Sequence, residues 1–347
     1  MKYKPRAEEE RRTVLADVIP IDTPYVFGFF VGDICNFHCA YCLHAKQACS
    51  TIPSNPKAVE NRGARDLVKE FMSWETFQRI ADQLECFPHK IKKILFSSTG
   101  EPLLHPKIAE MIAHLNQRGI AEMYELVTNA SRLSPALSRA LVDAGLSRLC
   151  VSVQGVTAEQ YKNICAYNMD MEEFISNLRF FYEYSRGKCR VHIKTVDIAL
   201  RAGEKDIFLS MFGDCCDTIH IDHVLRLYQD VDYNGLIDHD FGLYKDQPKN
   251  IEVCSPLFYT LYVTPAGDVV PCCIVPYAAH YGSVYREDLV AIWNGTKRRR
   301  LLEQHLQKKR WMHSVCKECV LPNATAFAED LLDDRAEQIL ARLSPWG

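Results

Sequence analysis

The sequence predicts an α/β protein whose main body is a partial (β/α)6 TIM-like barrel, followed by a small C-terminal extension. The first observation is that six short runs rich in β-branched and aromatic residues alternate with amphipathic helical segments. The second is that this alternation stops near residue 228, where polar and turn-forming residues take over. Strands joined by helical crossovers run parallel, so functional side chains are expected at their carboxyl ends.

Each predicted strand is a short apolar run, and each predicted helix places its apolar residues three or four apart. The predicted strands occupy residues 25–34, 90–98, 122–129, 146–154, 190–200 and 218–225. The predicted helices occupy residues 74–87, 106–119, 134–145, 157–164, 171–185 and 204–214. Because side chains alternate across a strand, Val191 and Ile193 should face helices, and Lys194 should face the barrel interior.

The extension has a different pattern. Residues 261–273 predict a β-hairpin around the turn Pro265–Asp268, residues 289–307 predict a helix, and residues 327–343 predict an amphipathic final helix. We therefore divide the chain into an N-terminal tail, a barrel, an extension built from a hairpin and a helix, and a C-terminal helix, at residues 1–23, 24–228, 229–320 and 321–347.

Composition excludes several classes of protein. Hydrophobic residues make up 48% of the 347 residues and charged residues 24%, which excludes a disordered or fibrous chain. The net charge of −3 gives no sign of nucleic-acid or membrane binding, and no apolar run is long enough to cross a bilayer. Fifteen cysteines cannot all pair, and the polar start of the chain is no signal peptide, so we expect a reducing cytoplasm.

Three cysteines follow the first predicted strand at close spacing. Cys35, Cys39 and Cys42, which we call the first thiol set, form a concave group of soft ligands. Soft thiolates suit zinc or iron–sulfur clusters. Zinc would need a fourth ligand, for which His38 is the nearest alternative. Three cysteines on a four-iron cluster would instead leave one iron open.

The CxxxCxxC spacing, with Tyr41 before the last cysteine, resembles the radical S-adenosylmethionine (radical SAM) superfamily. The resemblance implies a 4Fe–4S cluster whose open iron binds S-adenosylmethionine and which generates a 5′-deoxyadenosyl radical. It also implies an electron donor such as flavodoxin or ferredoxin. Residues at the family's cofactor-binding segments are Tyr41, Thr99, Gly100, Glu101, Asn129, Ser152, Gln154 and Lys194. Among these, Glu101 should accept a hydrogen bond from the methionyl ammonium, and Lys194 could meet the methionyl carboxylate. Thr99 replaces a glycine of the family pattern, and Gln154 stands where the family often has aspartate. Capping of strand ends is the alternative role for Asn129 and Ser152.

A second thiol set consists of Cys254, Cys272, Cys316 and Cys319. Together with Gly267 it resembles the SPASM/twitch extension of radical SAM enzymes, although a full SPASM pattern continues with further cysteines. The resemblance implies one auxiliary 4Fe–4S cluster with four protein ligands, which suits electron transfer rather than substrate binding. A structural zinc ion is the alternative.

The resemblance implies an oxidation or epimerisation of a sugar, cyclitol or similar polyol, and Asp222 is the candidate base. Cys273 is the candidate hydrogen-donating thiol of an epimerase. Modification of a ribosomally made peptide is the alternative. Against it, only residues 1–23 precede the first barrel strand, which is too few for the leader-peptide-binding domain common in such enzymes. A non-catalytic iron–sulfur or zinc protein is a distant third.

Overall fold

A ten-stranded sheet forms the centre of the molecule. The computed structural model describes residues 1–6, 12–45, 69–97, 99–228, 231–237, 242–244 and 250–343. The strands are β1 Lys2–Tyr3, β2 Val26–Phe30, β3 Lys93–Ser97, β4 Tyr124–Thr128, β5 Arg148–Ser152, β6 Arg190–Val196, β7 Thr218–Asp222, β8 Thr260–Val263, β9 Asp268–Val270 and β10 Gly282–Ser283. Their order across the sheet is β1-β7-β6-β5-β4-β3-β2-β8-β9-β10.

Helices pack around the sheet, and they include the crossovers between successive parallel strands. The described helices are α1 Leu15–Val18, α2 Trp74–Leu84, α3 Ile108–Gln117, α4 Pro135–Asp143, α5 Ala158–Cys165, α6 Met171–Ser185, α7 Lys205–Phe212, α8 Pro256–Tyr259, α9 Leu289–Trp293, α10 Thr296–Leu306, α11 Leu321–Thr325 and α12 Ala336–Leu343. Of these, α2 to α7 are the crossovers that join β2 to β7. Four crossover helices begin at side-chain caps, which supply acceptors for otherwise unpaired N–H groups; the caps are Ser73, Ser134, Thr157 and Asp170. Within the described ranges, every helix is too short or too polar to cross a bilayer.

Strands β2 to β7 are parallel neighbours in chain order, so the predicted partial barrel is confirmed as an open sheet. The sequence did not predict that β8 pairs in parallel with β2 or that β1 pairs in parallel with β7. The residues expected as a tail therefore supply an edge strand. The extension joins the barrel as part of the same sheet.

The alternation predicted for β6 is present. Val191 and Ile193 are buried in the main core, whereas Lys194 points to the other face and contacts Asp222 on β7. Deeper in the interior, Glu125 on β4 is fully buried and pairs with Arg6, Lys93 and Arg148. Burial alone would raise the pKa of Glu125, but these three cations hold it at about 2.

Two predicted helices are shorter in the structure. The helix predicted at 289–307 breaks into α9 and α10 because Gly295 adopts an extended backbone. The final helix begins at Ala336 rather than at residue 327, because tertiary contacts hold the preceding residues: Asp330 pairs with Arg12, and Asp333 accepts the N–H of Glu252. Residues 344–347 of the predicted C-terminal helix lie outside the described residues.

Candidate functional site

The first thiol set lies on the loop that leaves β2. The N–H of His38 donates to the carbonyl of Cys165, and that of Ala40 to the carbonyl of Ile164, both at 2.8 Å. These carbonyls belong to the last turn of α5, where no intrahelical donor reaches them. The C-terminal end of a barrel helix thus fixes the loop. Nδ1 of His38, the alternative zinc ligand, donates to the carbonyl of His44 at 2.9 Å.

The three thiols are partly buried and close enough to affect one another's ionisation. Burial raises the pKa of Cys35 and of Cys42 to about 12. A hydrogen bond with the Cys165 thiol, together with burial, raises the pKa of Cys39. The protein alone therefore keeps these thiols protonated, and a bound metal cluster would release their protons.

The loop after β3 packs against the segment that leads into the first thiol set. A Cβ atom at Gly100 would lie 2.4 Å from the carbonyl oxygen of Ile34, an approach that only glycine allows. The N–H of Glu101 donates to the same carbonyl at 2.8 Å. Thr99, which stands where the family pattern has glycine, donates its hydroxyl to Asp33, and its carbonyl contacts Nε2 of His44.

Glu101 is buried and already accepts three hydrogen bonds. They come from the N–H of Leu103 at 2.9 Å, the hydroxyl of Thr128 and the N–H of Asn129 at 2.7 Å. A carboxylate offers about four acceptor positions, so one remains for a further donor such as an ammonium group. Burial raises the pKa of Glu101 to about 7, although the three donors oppose this.

Other predicted cofactor-binding residues join the first loop to the strand ends. The hydroxyl of Tyr41 donates to Gln154 at 2.7 Å. The side-chain amide of Asn129 donates to Asn36 at 3.0 Å, while its carbonyl oxygen accepts from the N–H and hydroxyl of Ser131. Asn129 thus caps the end of its strand. Ser152 lies beside Lys194 in the sheet register.

A chain of charged hydrogen bonds crosses β6 and β7 on the interior face. Nζ of Lys194 lies 3.0 Å from Asp222, and Nδ1 of His220 lies 2.8 Å from the other oxygen of Asp222. Burial would raise the pKa of Asp222, but Lys194 and His220 hold it well below its usual range. Asp222 is therefore ionised and a weak base.

The second thiol set draws on three segments. Cys254 precedes α8, Cys272 follows β9, and Cys316 and Cys319 lie at either end of a short turn. Burial raises the pKa of all four thiols, and neighbouring thiols add to this at Cys254, Cys272 and Cys316; the pKa of Cys316 reaches about 12.

Arg310 and His305 hold the ligand loops of this set. Arg310 donates from Nε to the carbonyl of Cys316 at 3.0 Å and from another nitrogen to the carbonyl of Cys319. Nδ1 of His305 accepts the N–H of Cys254 at 3.3 Å. The backbone around three of the four thiols is therefore fixed by buried or half-buried side chains.

A buried donor without an acceptor lies beside the second set. The hydroxyl of Tyr281 has no hydrogen-bond partner among the described residues. Burial is the main cause that raises the pKa of Tyr281, and the nearby thiols Cys272, Cys316 and Cys254 raise it as well. An unpaired buried donor costs roughly 1–3 kcal/mol, which the sulfur atoms of a bound cluster would offset. Across the described residues, no three His, Cys, Asp or Glu side chains are grouped tightly enough for a single metal ion. The donors present fit an iron–sulfur cluster.

Tyr228 is near Cys42 of the first set and near Cys273, the neighbour of the ligand candidate Cys272; burial and then these two thiols raise its pKa. It lines a cavity of about 220 Å³ that extends to Cys319. Cys273 packs with Phe30 and Tyr262, and burial raises its pKa to about 11, so it remains a neutral thiol. A larger cavity of about 1080 Å³ opens at the other end of the sheet, near Thr23 and Lys92, away from the thiols.

The structure thus brings the first thiol set and the predicted strand-end residues to the carboxyl ends of the barrel strands, whereas the second thiol set lies beside β8 and β9. Sequence reasoning missed the parts played by Tyr281, Arg310 and Cys165. Cys165 contacts Cys39 on a distant segment, and Arg310 joins the nearby ligand turn to the carbonyl of Ile251. The sequence carries no local signal for these contacts.

Comparison with known proteins decides the family. A model of the radical SAM superfamily matches residues 29–199, and a model of the SPASM iron–sulfur cluster-binding domain matches residues 254–320. The chain belongs to the radical SAM superfamily and carries a SPASM domain. Radical SAM enzymes bind S-adenosylmethionine and a 4Fe–4S cluster, and the SPASM domain indicates an auxiliary iron–sulfur cluster, so both cofactors expected from the sequence are confirmed.

Individual relatives are distant. The tungsten-containing aldehyde ferredoxin oxidoreductase cofactor-modifying protein of Pyrococcus furiosus is 28% identical over 116 residues, 29% of this chain. The match spans only 32% of the length of that relative. SuiB of Streptococcus suis bound to S-adenosylmethionine superposes with a TM-score of 0.58 at 14% identity, covering 87% of this chain and 72% of SuiB. The structure of anSMEcpe with bound AdoMet superposes with a TM-score of 0.55 at 13% identity, covering 92% of this chain and 96% of anSMEcpe. These structures support the fold.

Proposed function

We propose that this radical SAM enzyme removes hydrogen from a carbinol carbon of a sugar, cyclitol or similar polyol and oxidises that carbon. The observation that carries the proposal is the hydrogen-bonded chain Lys194–Asp222–His220 on the interior face of β6 and β7. Polar groups that converge on the interior face of the barrel strands suit a substrate with several hydroxyl groups. A histidine held by a carboxylate can also accept a hydroxyl proton near neutral pH.

In this proposal the first thiol set holds the 4Fe–4S cluster that binds S-adenosylmethionine, and the second holds the auxiliary 4Fe–4S cluster. When bound, these cofactors supply a hydrogen-abstracting radical and an acceptor for one electron. The free acceptor position of Glu101 receives the methionyl ammonium. Lys194 gives one of its three donors to Asp222 and keeps two for the methionyl carboxylate. The remaining predicted contacts shape the pocket around the cofactor: Tyr41, Thr99, Gly100, Asn129, Ser152 and Gln154.

We assign the base to His220 and the orienting role to Asp222. The depressed pKa of Asp222 makes it a poor proton acceptor, and its carboxylate orients the imidazole of His220 through Nδ1. The products then balance: one hydrogen atom leaves carbon as part of 5′-deoxyadenosine, one proton goes to His220, and one electron goes to the auxiliary cluster. All fourteen described cysteines are free thiols, which suits the reducing cytoplasm and the flavodoxin- or ferredoxin-like electron donor that we propose.

Epimerisation is the second candidate, and the protonated thiol of Cys273 favours it. Such a thiol could return a hydrogen atom to carbon in place of electron loss. Incubation in D₂O separates the two reactions. An oxidised product carries no new non-exchangeable deuterium and forms with about one 5′-deoxyadenosine per turnover. Inversion with one solvent deuterium, abolished by Cys273→Ala, would replace oxidation with epimerisation.

The role of His220 has its own test. We expect His220→Asn to lower kcat by roughly 10²–10⁴-fold, with S-adenosylmethionine binding retained. His192→Asn is the matched control, because His192 lies two residues deeper on β6 and bonds Thr218 instead. Turnover of a peptide with no response to any polyol would overturn the proposed substrate class.

A further inference from the structure

A basic and apolar surface patch lies directly beside the second thiol set. We call it the 308–317 patch; it consists of Lys308, Lys309, Trp311, Met312 and Lys317. Trp311 is 68% exposed and Met312 is 59% exposed, which is unusual for adjacent large apolar side chains. Residues 296–319 contain eight Lys or Arg and two Glu, in a chain whose net charge is −3.

The patch and the cluster-ligand turn form one structural unit. Arg310, between Lys309 and Trp311, donates to the carbonyls of Cys316, Cys319 and Ile251, the last at 2.7 Å. Nδ1 of His313 accepts the N–H groups of Val315 and Cys316 at 3.3 and 3.2 Å. A protein bound to Trp311 would therefore sit against the same short segment that carries two of the four thiols.

The charges favour an acidic partner. Lys308 faces Glu252 at 3.7 Å and Lys317 faces Glu318 at 3.6 Å, but these pairs are exposed and weak. With Lys309 and Arg310 added, four cations face two carboxylates, so the patch stays positive. An aromatic anchor with a basic rim is a typical binding centre for a protein whose surface carries the opposite charge.

We propose that the 308–317 patch docks a small acidic one-electron carrier protein with a flavin or iron–sulfur centre. The inference rests on the proposed function, in which each oxidised substrate leaves one electron on the auxiliary cluster. The carrier removes that electron: the cluster is reoxidised by one electron, and the carrier is reduced by one. No proton or bond to carbon is involved in this step.

The test measures electron transfer without any substrate, so its outcome does not depend on polyol oxidation. Holoenzyme with chemically reduced clusters is mixed with an oxidised acidic flavodoxin, and auxiliary-cluster reoxidation is followed by stopped-flow absorbance. We expect Trp311→Ala with Met312→Ala, and separately Lys308→Glu with Lys309→Glu, to lower the second-order rate at least roughly tenfold. The wild-type rate should fall as salt is raised.

The matched control is Lys205→Glu with Ile207→Ala, which changes an exposed basic and an exposed apolar residue on α7, outside the barrel. This control should leave the rate unchanged, and a small uncharged oxidant should reoxidise all variants equally. Equal rates with flavodoxin in wild type and both patch variants would overturn the proposal. Binding of a single-stranded RNA oligonucleotide that requires Trp311, with no binding of flavodoxin, would also overturn it and assign the patch to nucleic acid.

Discussion

Replacing Glu101 by glutamine tests the cofactor site most directly. Its carboxylate accepts from Leu103 and Thr128 on one oxygen and from Asn129 on the other. A glutamine amide has only one oxygen, so at least one of these donors would face an NH₂ group. We expect a loss of roughly 1–3 kcal/mol in the free energy of unfolding from that unpaired donor.

Glu101→Gln should weaken the binding of S-adenosylmethionine more than a change in fold stability alone would. Losing a charged acceptor for the methionyl ammonium costs roughly 1.5–3 kcal/mol, which weakens binding about ten- to a hundredfold. The assay is equilibrium binding of S-adenosylmethionine to reconstituted enzyme, with cluster content checked by absorbance. Glu125→Gln is the matched control, because that carboxylate is equally buried on a neighbouring strand but is bound by Arg6, Lys93 and Arg148.

The pH dependence of binding sharpens this test. Between its usual pKa of 4.5 and its folded pKa of about 7, Glu101 is protonated in the folded protein and ionised in the unfolded chain. Its contribution to stability therefore falls as the pH rises through this window. The ammonium needs the ionised form, whose fraction drops from about nine tenths at pH 8 to about one tenth at pH 6, so the dissociation constant should rise about tenfold. A Glu101→Gln enzyme with intact clusters, wild-type affinity and the same pH dependence would refute the role of Glu101.

Three further predictions concern the clusters and the barrel interior. Reconstituted enzyme should bind about eight iron atoms, and replacing the first thiol set by alanine should remove half; tightly bound zinc without sulfide at the second set would contradict this. Glu125→Gln should lower the free energy of unfolding by roughly 3–5 kcal/mol, because three cations lose their charged partner. The stability of the wild type should fall as the pH drops from 4.5 towards about 2, because the carboxylate is then protonated. Urea midpoints that do not change with the mutation or with pH would contradict these two expectations. Tyr281→Phe should lower the reduction potential of the auxiliary cluster and leave that of the other cluster unchanged, because hydrogen bonds to the sulfur atoms raise the potential. An EPR-monitored redox titration measures both potentials. A shift in both clusters, or in neither, would show that Tyr281 does not donate to the auxiliary cluster.

The sequence by itself determined the six parallel strands and their crossover helices. Their apolar periodicity is local, and caps such as Ser73 and Thr157 mark helix starts within four residues. It also determined the two thiol sets, because the CxxxCxxC and CxxC motifs are short and can be recognised in the sequence without knowledge of the fold. The family and its cofactors followed from these motifs.

Only the tertiary structure decided which strand edges are occupied. Two residues, Lys2 and Tyr3, complete one edge beside β7, and a segment more than 200 residues after β2 extends the other. A strand of two residues is too short to show the alternation of apolar and polar residues that predicts a strand. Its pairing depends on which edge still has unpaired N–H and C=O groups once the barrel has formed.

The electrostatics of the site were likewise decided by folding. His220, two residues earlier on β7, bonds the carboxylate of Asp222 within the same strand. Strand alternation placed Lys194 and Asp222 on the interior face, but only the register between β6 and β7 sets them 3.0 Å apart. That contact lowers the pKa of Asp222 and moves the proposed base to His220. A side chain's charge state depends on its burial and its neighbours, and both are fixed only when distant segments of the chain meet.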